Sequence, residues 1–262
     1  MSKKLSDLIK QKKQAGQKLL SIFVTAGFPE RDATVDIITS LAENGADFIE
    51  LGMPFSDPIA DGPVIQKASD VALNNGIILQ DIFNILKEVR KTSDIPILLM
   101  GYFNPVFHYG IESFLRDASI AGADGLIIPD WPLEENIKYQ PLLKELDLDL
   151  VQLVAPNTPL ARIKQIDEIS NSFIYCVAYT GVTGQDSQLS NETKSFLNHL
   201  KQNLICPWLV GFGVRQFEDV QRYCKYADGV IVGTVFIQLL EKTDKEKRKE
   251  AIKKFMISLQ GK

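Results

Sequence analysis

The feature that most constrains the fold of this chain is a regular alternation between short apolar runs and longer amphipathic segments. Each apolar run is rich in aliphatic and β-branched residues, and such nearly continuous apolar content is typical of parallel strands covered on both faces. The amphipathic segments, such as residues 33–43 and 81–90, carry apolar side chains at helical spacing. The eight predicted strands cover residues 19–25, 47–52, 96–102, 125–129, 150–155, 173–178, 208–211 and 229–233.

This alternation predicts an α/β fold in which strands and helices follow each other as βα units. An Ala-Asp pair at residues 46, 123 and 227 leads into three of the strands, which indicates a weak internal repeat. Repeated βα units make parallel strands with right-handed crossovers, and eight of them in 262 residues fit a closed barrel better than an open sheet. We therefore predict a (β/α)8 TIM barrel that forms a single domain over residues 1–262, with an extra N-terminal helix in the lysine-rich residues 1–16. A doubly wound open sheet is the structural alternative.

The composition argues against several classes of protein. The net charge of −4 argues against a nucleic-acid-binding role, because non-specific binding to nucleic acid requires a basic surface. No window approaches the roughly 18 consecutive apolar residues that a membrane span needs, so we expect no membrane association and a cytoplasmic location. Cys176, Cys206 and Cys224 are far apart and show no CxxC spacing, which favours buried reduced thiols.

The densest group of candidate functional residues is the segment 50–63, which reads ELGMPFSDPIADGP. In a barrel of this kind the active site lies in the loops at the C-terminal ends of the strands, and this segment begins in the second strand and continues into its loop. Strand alternation places Glu50 on the same face as Phe48. A carboxyl group buried in a strand either has a structural partner, such as an arginine, or works as a general acid/base with a raised pKa.

A second carboxyl group, that of Asp61, ends the loop after the same strand. Its position before Gly62 and Pro63 is typical of a helix N-cap, which is one interpretation of the residue. The other interpretation is catalytic, because two carboxyl groups at one barrel mouth can divide the acid and base roles. Asp57, between a serine and a proline, is expected to be exposed or to lie at a partner surface.

Glycines follow each of the last three predicted strands. Glycine lets backbone N–H groups approach an anion closely, and phosphate sites in such barrels are commonly built after the seventh and eighth strands. The same glycines are also compatible with ordinary tight turns. Residues 181–190 have the polar, Gly- and Ser-containing composition of a mobile lid or of an ordinary exposed loop. The residues concerned are Thr183 and Gly184 after strand six, Gly211 and Gly213 after strand seven, and Gly233 and Thr234 after strand eight.

The sequence offers little for histidine or metal chemistry. It has two histidines, of which His199 falls in a helical segment and His108 in the predicted loop after strand three. There is no HExxH motif, no paired Cys/His set and no acidic calcium loop, so we expect no metal site.

Residues 50–63, together with FVTAGFP at 23–29, GYFNP at 101–105, GVTG at 181–184 and GFG at 211–213, resemble the tryptophan synthase alpha subunit family, in order and in spacing. The resemblance covers essentially the whole chain. It implies a retro-aldol cleavage of indole-3-glycerol phosphate, in which Glu50 protonates the indole ring and assists deprotonation of the glycerol hydroxyl, while Asp61 binds the indole N–H and stabilises the cationic intermediate.

The resemblance also implies roles for the surrounding residues. Phe23, Tyr102 and Tyr175 would line the indole site. The phosphate would be held by Gly184, Gly213, Gly233 and Thr234, with Gly211 shaping the same turn and Thr183 helping the lid to close onto Asp61.

A partner is implied as well: a beta subunit that carries pyridoxal phosphate, in an αββα heterotetramer, with no cofactor in this chain itself. The residues matching the partner contact regions are Pro54, Asp57, Asn104, Pro105, Phe107 and His108. The alternatives are a stand-alone indole-releasing lyase and a catalytically idle partner that only regulates the beta subunit. Related phosphate-binding barrels rely on catalytic lysines at strand ends, which this sequence lacks.

Overall fold

The computed structural model describes residues 3–178, 189–211 and 213–261. Its eight strands are all parallel and close into a barrel in sequence order. This confirms the predicted (β/α)8 architecture and overturns the open-sheet alternative, because β1 pairs with β8. The strands are β1 (Leu19–Thr25), β2 (Phe48–Gly52), β3 (Ile97–Met100), β4 (Gly125–Ile127), β5 (Asp149–Val154), β6 (Ile174–Val177), β7 (Trp208–Gly211) and β8 (Gly229–Val232).

Helices connect the strands and surround the barrel. The described helices are α1 (Lys3–Gln14), α2 (Thr34–Glu43), α3 (Pro63–Asn74), α4 (Leu79–Val89), α5 (Phe103–Tyr109), α6 (Ile111–Ala121), α7 (Leu133–Asn136), α8 (Gln140–Glu145), α9 (Leu160–Ile169), α10 (Asn191–Asn203), α11 (Phe217–Tyr223), α12 (Thr234–Glu241) and α13 (Arg248–Gln260), with 3₁₀ turns at Ile137–Tyr139 and Lys245–Lys247. None of these described helices combines the length and apolar character needed to cross a membrane.

The strand side chains divide between two apolar clusters. Outward-facing residues such as Ile49 and Leu51 pack against the helices in the larger cluster. Inward-facing residues such as Phe48, Leu98 and Leu209 fill the barrel interior as a separate cluster. Because both faces of each strand are buried, the strands read as continuous apolar runs rather than as alternating patterns.

The predicted N-terminal helix is present as α1 and packs onto the barrel interior. Leu5 is fully buried, Ile9 is 3% exposed, and both belong to the inner cluster together with Leu19 at the start of β1. Lys12 adds an ion pair with Asp47, at 2.7 Å between Nζ and Oδ1, just before β2. The helix therefore closes the N-terminal end of the barrel and leaves the opposite end for a site.

One local prediction is wrong. Residues 104–108 were expected to form a loop after the third strand, but they form most of α5. Pro105 is the third residue of this helix, where its missing N–H costs nothing because first-turn N–H groups have no partner within a helix. The carboxylate of Asp130 accepts the backbone N–H of Phe103 at 2.8 Å and so satisfies the first turn from a neighbouring loop.

Replacing Leu5 by alanine tests whether α1 contributes to the barrel core. Loss of a fully buried leucine side chain leaves a cavity, so we expect Leu5→Ala to lower the free energy of unfolding by about 2–5 kcal/mol in urea titrations. Lys10→Ala, at an exposed position of the same helix, serves as the control and should change it little. Equal effects of the two substitutions would show that α1 does not seal the barrel.

Candidate active site

A narrow cavity lies at the C-terminal end of the barrel. Its wall comes from the ends of the first three strands, the loops that follow them, the start of α3 and the loop after β4. The lining residues are Phe23, Thr25, Gly52, Met53, Asp61, Ile65, Ser69, Met100, Gly101, Tyr102 and Pro129.

Glu50 lies two residues before Gly52 on β2, and its side chain is fully buried. Phe48 belongs to the inner cluster whereas Ile49 belongs to the outer one, so Glu50, on the same face as Phe48 as predicted, points into the barrel interior. Glu50 is opposite Phe23 on β1 and Leu98 on β3. These apolar neighbours exclude water from the carboxyl group.

The surroundings of Glu50 favour its neutral form. Burial raises the pKa of Glu50 from 4.5 to about 8, and the nearby Ser21 hydroxyl acts in the opposite direction. Among the described residues, none makes a hydrogen bond of standard geometry to either carboxyl oxygen. A structural buried acid would have an arginine or a set of N–H donors, and the described part of the chain supplies neither to Glu50. The arrangement therefore suits a proton donor better than a structural ion pair.

Asp61 is half-buried at the edge of the cavity, in the loop between β2 and α3. The N-cap residue of α3 is Gly62, and no side chain caps that helix end, so the N-cap interpretation of Asp61 is wrong. Pro63 occupies the first helical position, which needs no capped N–H, and this leaves the carboxyl group free to face the cavity. Burial raises the pKa of Asp61, while a hydrogen bond from the Tyr102 hydroxyl lowers it.

Tyr102 connects the loop of β2 to that of β3. Its hydroxyl accepts the backbone N–H of Ala60 at 3.0 Å, and its ring lies 5.4 Å from that of Phe55, centroid to centroid. Burial and the negative charge of Asp61 both raise the pKa of the Tyr102 hydroxyl, so it remains a hydrogen-bond donor to that carboxylate. Tyr102 therefore holds the Asp61 loop against the cavity wall.

Tyr175 lies on β6, across the barrel from β2, and its hydroxyl is affected by the charges of Glu50 and Asp61. It is 4% exposed on β6, and burial, followed by the charges of Glu50 and Asp61, raises the pKa of its hydroxyl well above the ordinary value of 10. A Cβ atom at Gly211 would lie 2.1 Å from the Tyr175 hydroxyl oxygen. Gly211 is thus needed to leave room for the tyrosine ring, rather than only to shape a turn.

Phe23 lies where β1, β2 and β8 end. A Cβ atom at Gly52 would approach the Phe23 ring to 2.5 Å, and one at Gly233 would lie 3.5 Å from the phenylalanine Cβ. The absence of a side chain at Gly52 thus lets the ring lie flat across the end of β2, where it lines the cavity. The structure brings the predicted residues Phe23, Tyr102 and Asp61 together in one site.

The structure describes only some of the residues in the three loops that were predicted to bind phosphate. Gly233 is the N-cap residue of α12, Thr234 is its exposed first residue, and no side chain caps this helix end. Gly213 is exposed and has a φ of +81°, a conformation that favours glycine. Thr183 and Gly184 lie outside the described residues, as do residues 181–188 of the predicted lid. Ser190, predicted as the end of that lid, is the N-cap of α10 and accepts the Thr193 N–H at 3.1 Å.

The predicted partner residues lie beside this end of the barrel. On α5, Phe107 is 65% exposed, Asn104 and His108 are exposed, and Pro105 is half-buried. The rings of Phe107 and Phe103 lie 5.9 Å apart, centroid to centroid, so the exposed ring rests on a partly buried one. In the loop after β2, Pro54 is half-buried, while Asp57 is exposed and accepts the Ser56 hydroxyl at 2.5 Å.

Sequence reasoning missed part of the cavity wall. Ile65 and Ser69 line it from α3, and their spacing of four residues in the helix that follows Asp61 is a signal that could have identified them. Met53 and Met100 also line it, and a Cβ atom at Gly101 would lie 2.7 Å from the Met53 Cε atom. Only the packing of one loop on another shows this contact.

A closed parallel barrel with a buried, neutral carboxyl group and a second carboxyl group at its C-terminal mouth has the architecture of a (β/α)8-barrel enzyme. Among the described residues, no group of three or more His, Cys, Asp or Glu side chains could hold a metal ion. The family model of the tryptophan synthase alpha chain matches residues 9–261. The chain belongs to the tryptophan synthase alpha chain family.

Individual relatives agree with this assignment over nearly the full length. The tryptophan synthase alpha chain of Christiangramia forsetii is 44% identical over 88% of this chain and 91% of that protein. The crystal structure of the alpha subunit from Legionella pneumophila superimposes with a TM-score of 0.88 at 34% identity, covering 98% of this chain and 97% of the other. A chain in the tryptophan synthase complex from Pyrococcus furiosus gives a TM-score of 0.84 at 35% identity, covering 93% and 98%.

The raised pKa of Glu50 predicts how stability depends on pH. The carboxyl group ionises near its ordinary pKa of 4.5 in the unfolded chain but only near about 8 in the folded one, so folding is opposed increasingly as pH rises through this window. Glu50→Gln removes this dependence. We expect the stability of the variant relative to wild type to increase between pH 5 and pH 8, by on the order of a few kcal/mol.

Urea titrations at several pH values measure this difference. Glu112→Gln, at an exposed position of α6, is the matched control and should show no such trend. A constant difference between Glu50→Gln and wild type across the pH range would mean that Glu50 ionises normally in the folded protein.

Proposed function

We propose that this chain catalyses the alpha reaction of tryptophan biosynthesis, the cleavage of indole-3-glycerol phosphate to indole and glyceraldehyde 3-phosphate, with Glu50 and Asp61 as its catalytic residues. Membership of the tryptophan synthase alpha chain family supports the reaction. The observation that supports the residue roles is the buried Glu50 carboxyl group, which has a pKa of about 8. Glu50 is opposite Phe23 and two residues before Gly52, and both of these residues line the cavity together with Asp61.

The chemistry requires a proton donor that keeps its proton near neutral pH. The bond between indole C3 and the glycerol chain breaks only after C3 has gained a proton and the ring has become a cation. In the proposed step, protonated Glu50 gives its proton to C3 and, as a carboxylate, then accepts the proton of the adjacent glycerol hydroxyl. The C–C bond breaks as the aldehyde C=O forms, its electron pair returns to the ring, and Glu50 is protonated again.

Asp61 is suited to stabilising positive charge on the indole ring as a carboxylate, rather than to donating a proton. It is half-buried rather than fully buried, and the Tyr102 hydroxyl supports its charged form by donating a hydrogen bond. A carboxylate that accepts the indole N–H stabilises the positive charge on the ring in a site with little water to screen it. Two carboxyl groups in unlike surroundings can thus be acid and counter-charge at the same pH.

The walls of the cavity match the two ends of this substrate. Phe23 and Tyr102 line the cavity together with Asp61, and Tyr175 is buried where the charges of both carboxyl groups act on its hydroxyl. We assign these three aromatic side chains to the indole ring. We assign the phosphate to the loops after β6, β7 and β8, where the uncapped N-terminus of α12 attracts an anion. The residues assigned to this end are Thr183, Gly184, Gly211, Gly213, Gly233 and Thr234, with Gly211 also making room for Tyr175.

Two alternative functions are compatible with the same fold: a lysine-dependent barrel enzyme and a catalytically idle partner of the beta subunit. Barrels that use catalytic lysines would place a lysine at the cavity, but the residues that line this cavity include none. An idle partner of the beta subunit would have no need for a buried carboxyl group that opposes folding. Both observations favour the lyase.

Glu50→Gln and Asp61→Asn test the catalytic roles. Indole release from indole-3-glycerol phosphate should fall by about 10²–10⁴-fold in each variant, because one loses the proton donor and the other loses the counter-charge. Binding of glycerol 3-phosphate, measured by calorimetry, should stay within about threefold of wild type, since neither carboxyl group is assigned to the phosphate. Full activity in both variants would contradict the assignment, and an inert wild type in the presence of a beta subunit would favour the idle partner.

We further propose that the chain works in the cytoplasm with a pyridoxal-phosphate-containing beta subunit in an αββα complex and holds no cofactor itself. The similarity to a chain of the Pyrococcus furiosus complex supports a partner of this kind. The surface assigned to it consists of Pro54, Asp57, Asn104, Pro105, Phe107 and His108, beside the mouth from which indole would leave.

Phe107→Asp tests this surface. An exposed aromatic side chain is a typical interface anchor, so its replacement by a charge should weaken binding to a beta subunit by at least about tenfold in calorimetry. Ile120→Asp is the matched control, because Ile120 is 74% exposed near the end of α6, at the other end of the barrel. Equal binding by both variants would place the partner elsewhere or favour the stand-alone lyase.

A further inference from the structure

Ser21 is a buried hydroxyl residue in the middle of the barrel interior. It lies on β1 between Leu19 and Phe23, is fully buried and is opposite Phe48 on β2. Leu19 and Phe48 both belong to the inner cluster, so alternation directs Ser21 inward as well. Its side chain therefore shares the interior with Glu50, on the neighbouring strand.

The Ser21 hydroxyl group has no hydrogen-bond partner among the described residues. Within the described residues, neither the Ser21 Oγ atom nor either Glu50 carboxyl oxygen takes part in a hydrogen bond of standard geometry. A buried polar group without a partner destabilises a core, and an apolar side chain of similar size would be less costly at position 21. The hydroxyl group and the carboxyl group instead point into the same apolar interior from neighbouring strands, each without a partner.

We propose that Ser21 is a positioning residue for Glu50: its hydroxyl donates a hydrogen bond to the Glu50 carboxylate whenever that group has lost its proton and rotates away when the proton returns. This inference rests on the proposed function, in which Glu50 passes through both forms in each turnover. A serine hydroxyl suits this task because its hydrogen turns freely about the C–O bond. A donor of this kind stabilises only the charged form, so it limits how far burial raises the pKa of Glu50.

The other groups around Glu50 do not supply a hydrogen-bond donor to its carboxylate. From β3 the facing residue is Leu98, and from β1 it is Phe23, neither of which can donate a hydrogen bond. Tyr175 on β6 is the titratable group on which the charge of Glu50 acts, and the charge of Asp61, in the loop after β2, acts on Tyr175 as well. Asp61 is negatively charged when ionised and cannot stabilise a second carboxylate. The Tyr175 hydroxyl lies beside Gly211 on β7 and makes no hydrogen bond of standard geometry to Glu50.

The pH dependence of indole release by Ser21→Ala, Ser21→Thr and Ser40→Ala tests the proposal in the complex with a beta subunit. Activity should fall as pH rises through the pKa of Glu50, because the donor form is lost. Ser21→Ala should move this fall to higher pH by about one unit, which is about a tenfold change in the ionised fraction at a given pH. Ser21→Thr keeps the hydroxyl group and should restore the wild-type profile, and Ser40→Ala, which removes a buried serine hydroxyl from α2, should not alter it.

A second measurement does not depend on activity. The free energy of unfolding of Ser21→Ala should continue to fall with pH beyond the point where that of wild type levels off, since its Glu50 ionises later. An unchanged pH profile together with an unchanged unfolding titration would overturn the role of Ser21. If wild type releases no indole, the proposed function fails, and the unfolding titration alone still decides whether Ser21 supports the Glu50 carboxylate.

Discussion

The exclusion of water from one carboxyl group, that of Glu50, is the constraint on which the site depends. A carboxylate loses most of its stabilisation when it leaves water, and the interior of this barrel offers Glu50 no cation or N–H donor among the described residues in return. The group therefore keeps its proton near neutral pH. The closed strand order, the apolar residues opposite Glu50 and the sealing of the N-terminal end by α1 all maintain this dry interior.

Function at this site opposes stability. A barrel interior filled only with residues such as Phe48 and Leu98 would be more stable than one containing Glu50 and Ser21, whose polar atoms lack partners. Natural proteins accept such local costs where chemistry requires them. The rest of the chain compensates through a continuous apolar core between the strands and the helices.

Much of the fold follows from the sequence because its signal is local and repeated. The continuous apolar strands and the helical stripes predict eight βα units, and alternation within β2 predicts that Glu50 faces inward with Phe48. The ends of elements are less predictable, since α5 depends on a carboxylate, Asp130, from another loop. Local sequence also misleads at Asp61, where a pattern typical of an N-cap conceals a side chain that faces the cavity.

The features that sequence does not reveal are contacts between distant segments. The need for Gly211 arises from Tyr175, one strand away, and the fit of Gly101 depends on Met53. Ser21 has no sequence signal at all, because a serine in an apolar strand is unremarkable until the carboxyl group on the next strand is known. Such pairs follow only from the register of the barrel.

The most direct test of this account is the ionisation of Glu50 itself, followed through the carboxyl carbon resonance in ¹³C-glutamate-labelled protein. The signal is identified by its absence from Glu50→Gln, and its chemical shift is recorded as a function of pH in the folded chain. We predict a titration midpoint near pH 8. A midpoint near the ordinary value of 4.5 would show that water or an unrecognised donor reaches the carboxyl group, and it would contradict the proposed role of Glu50 as the proton donor.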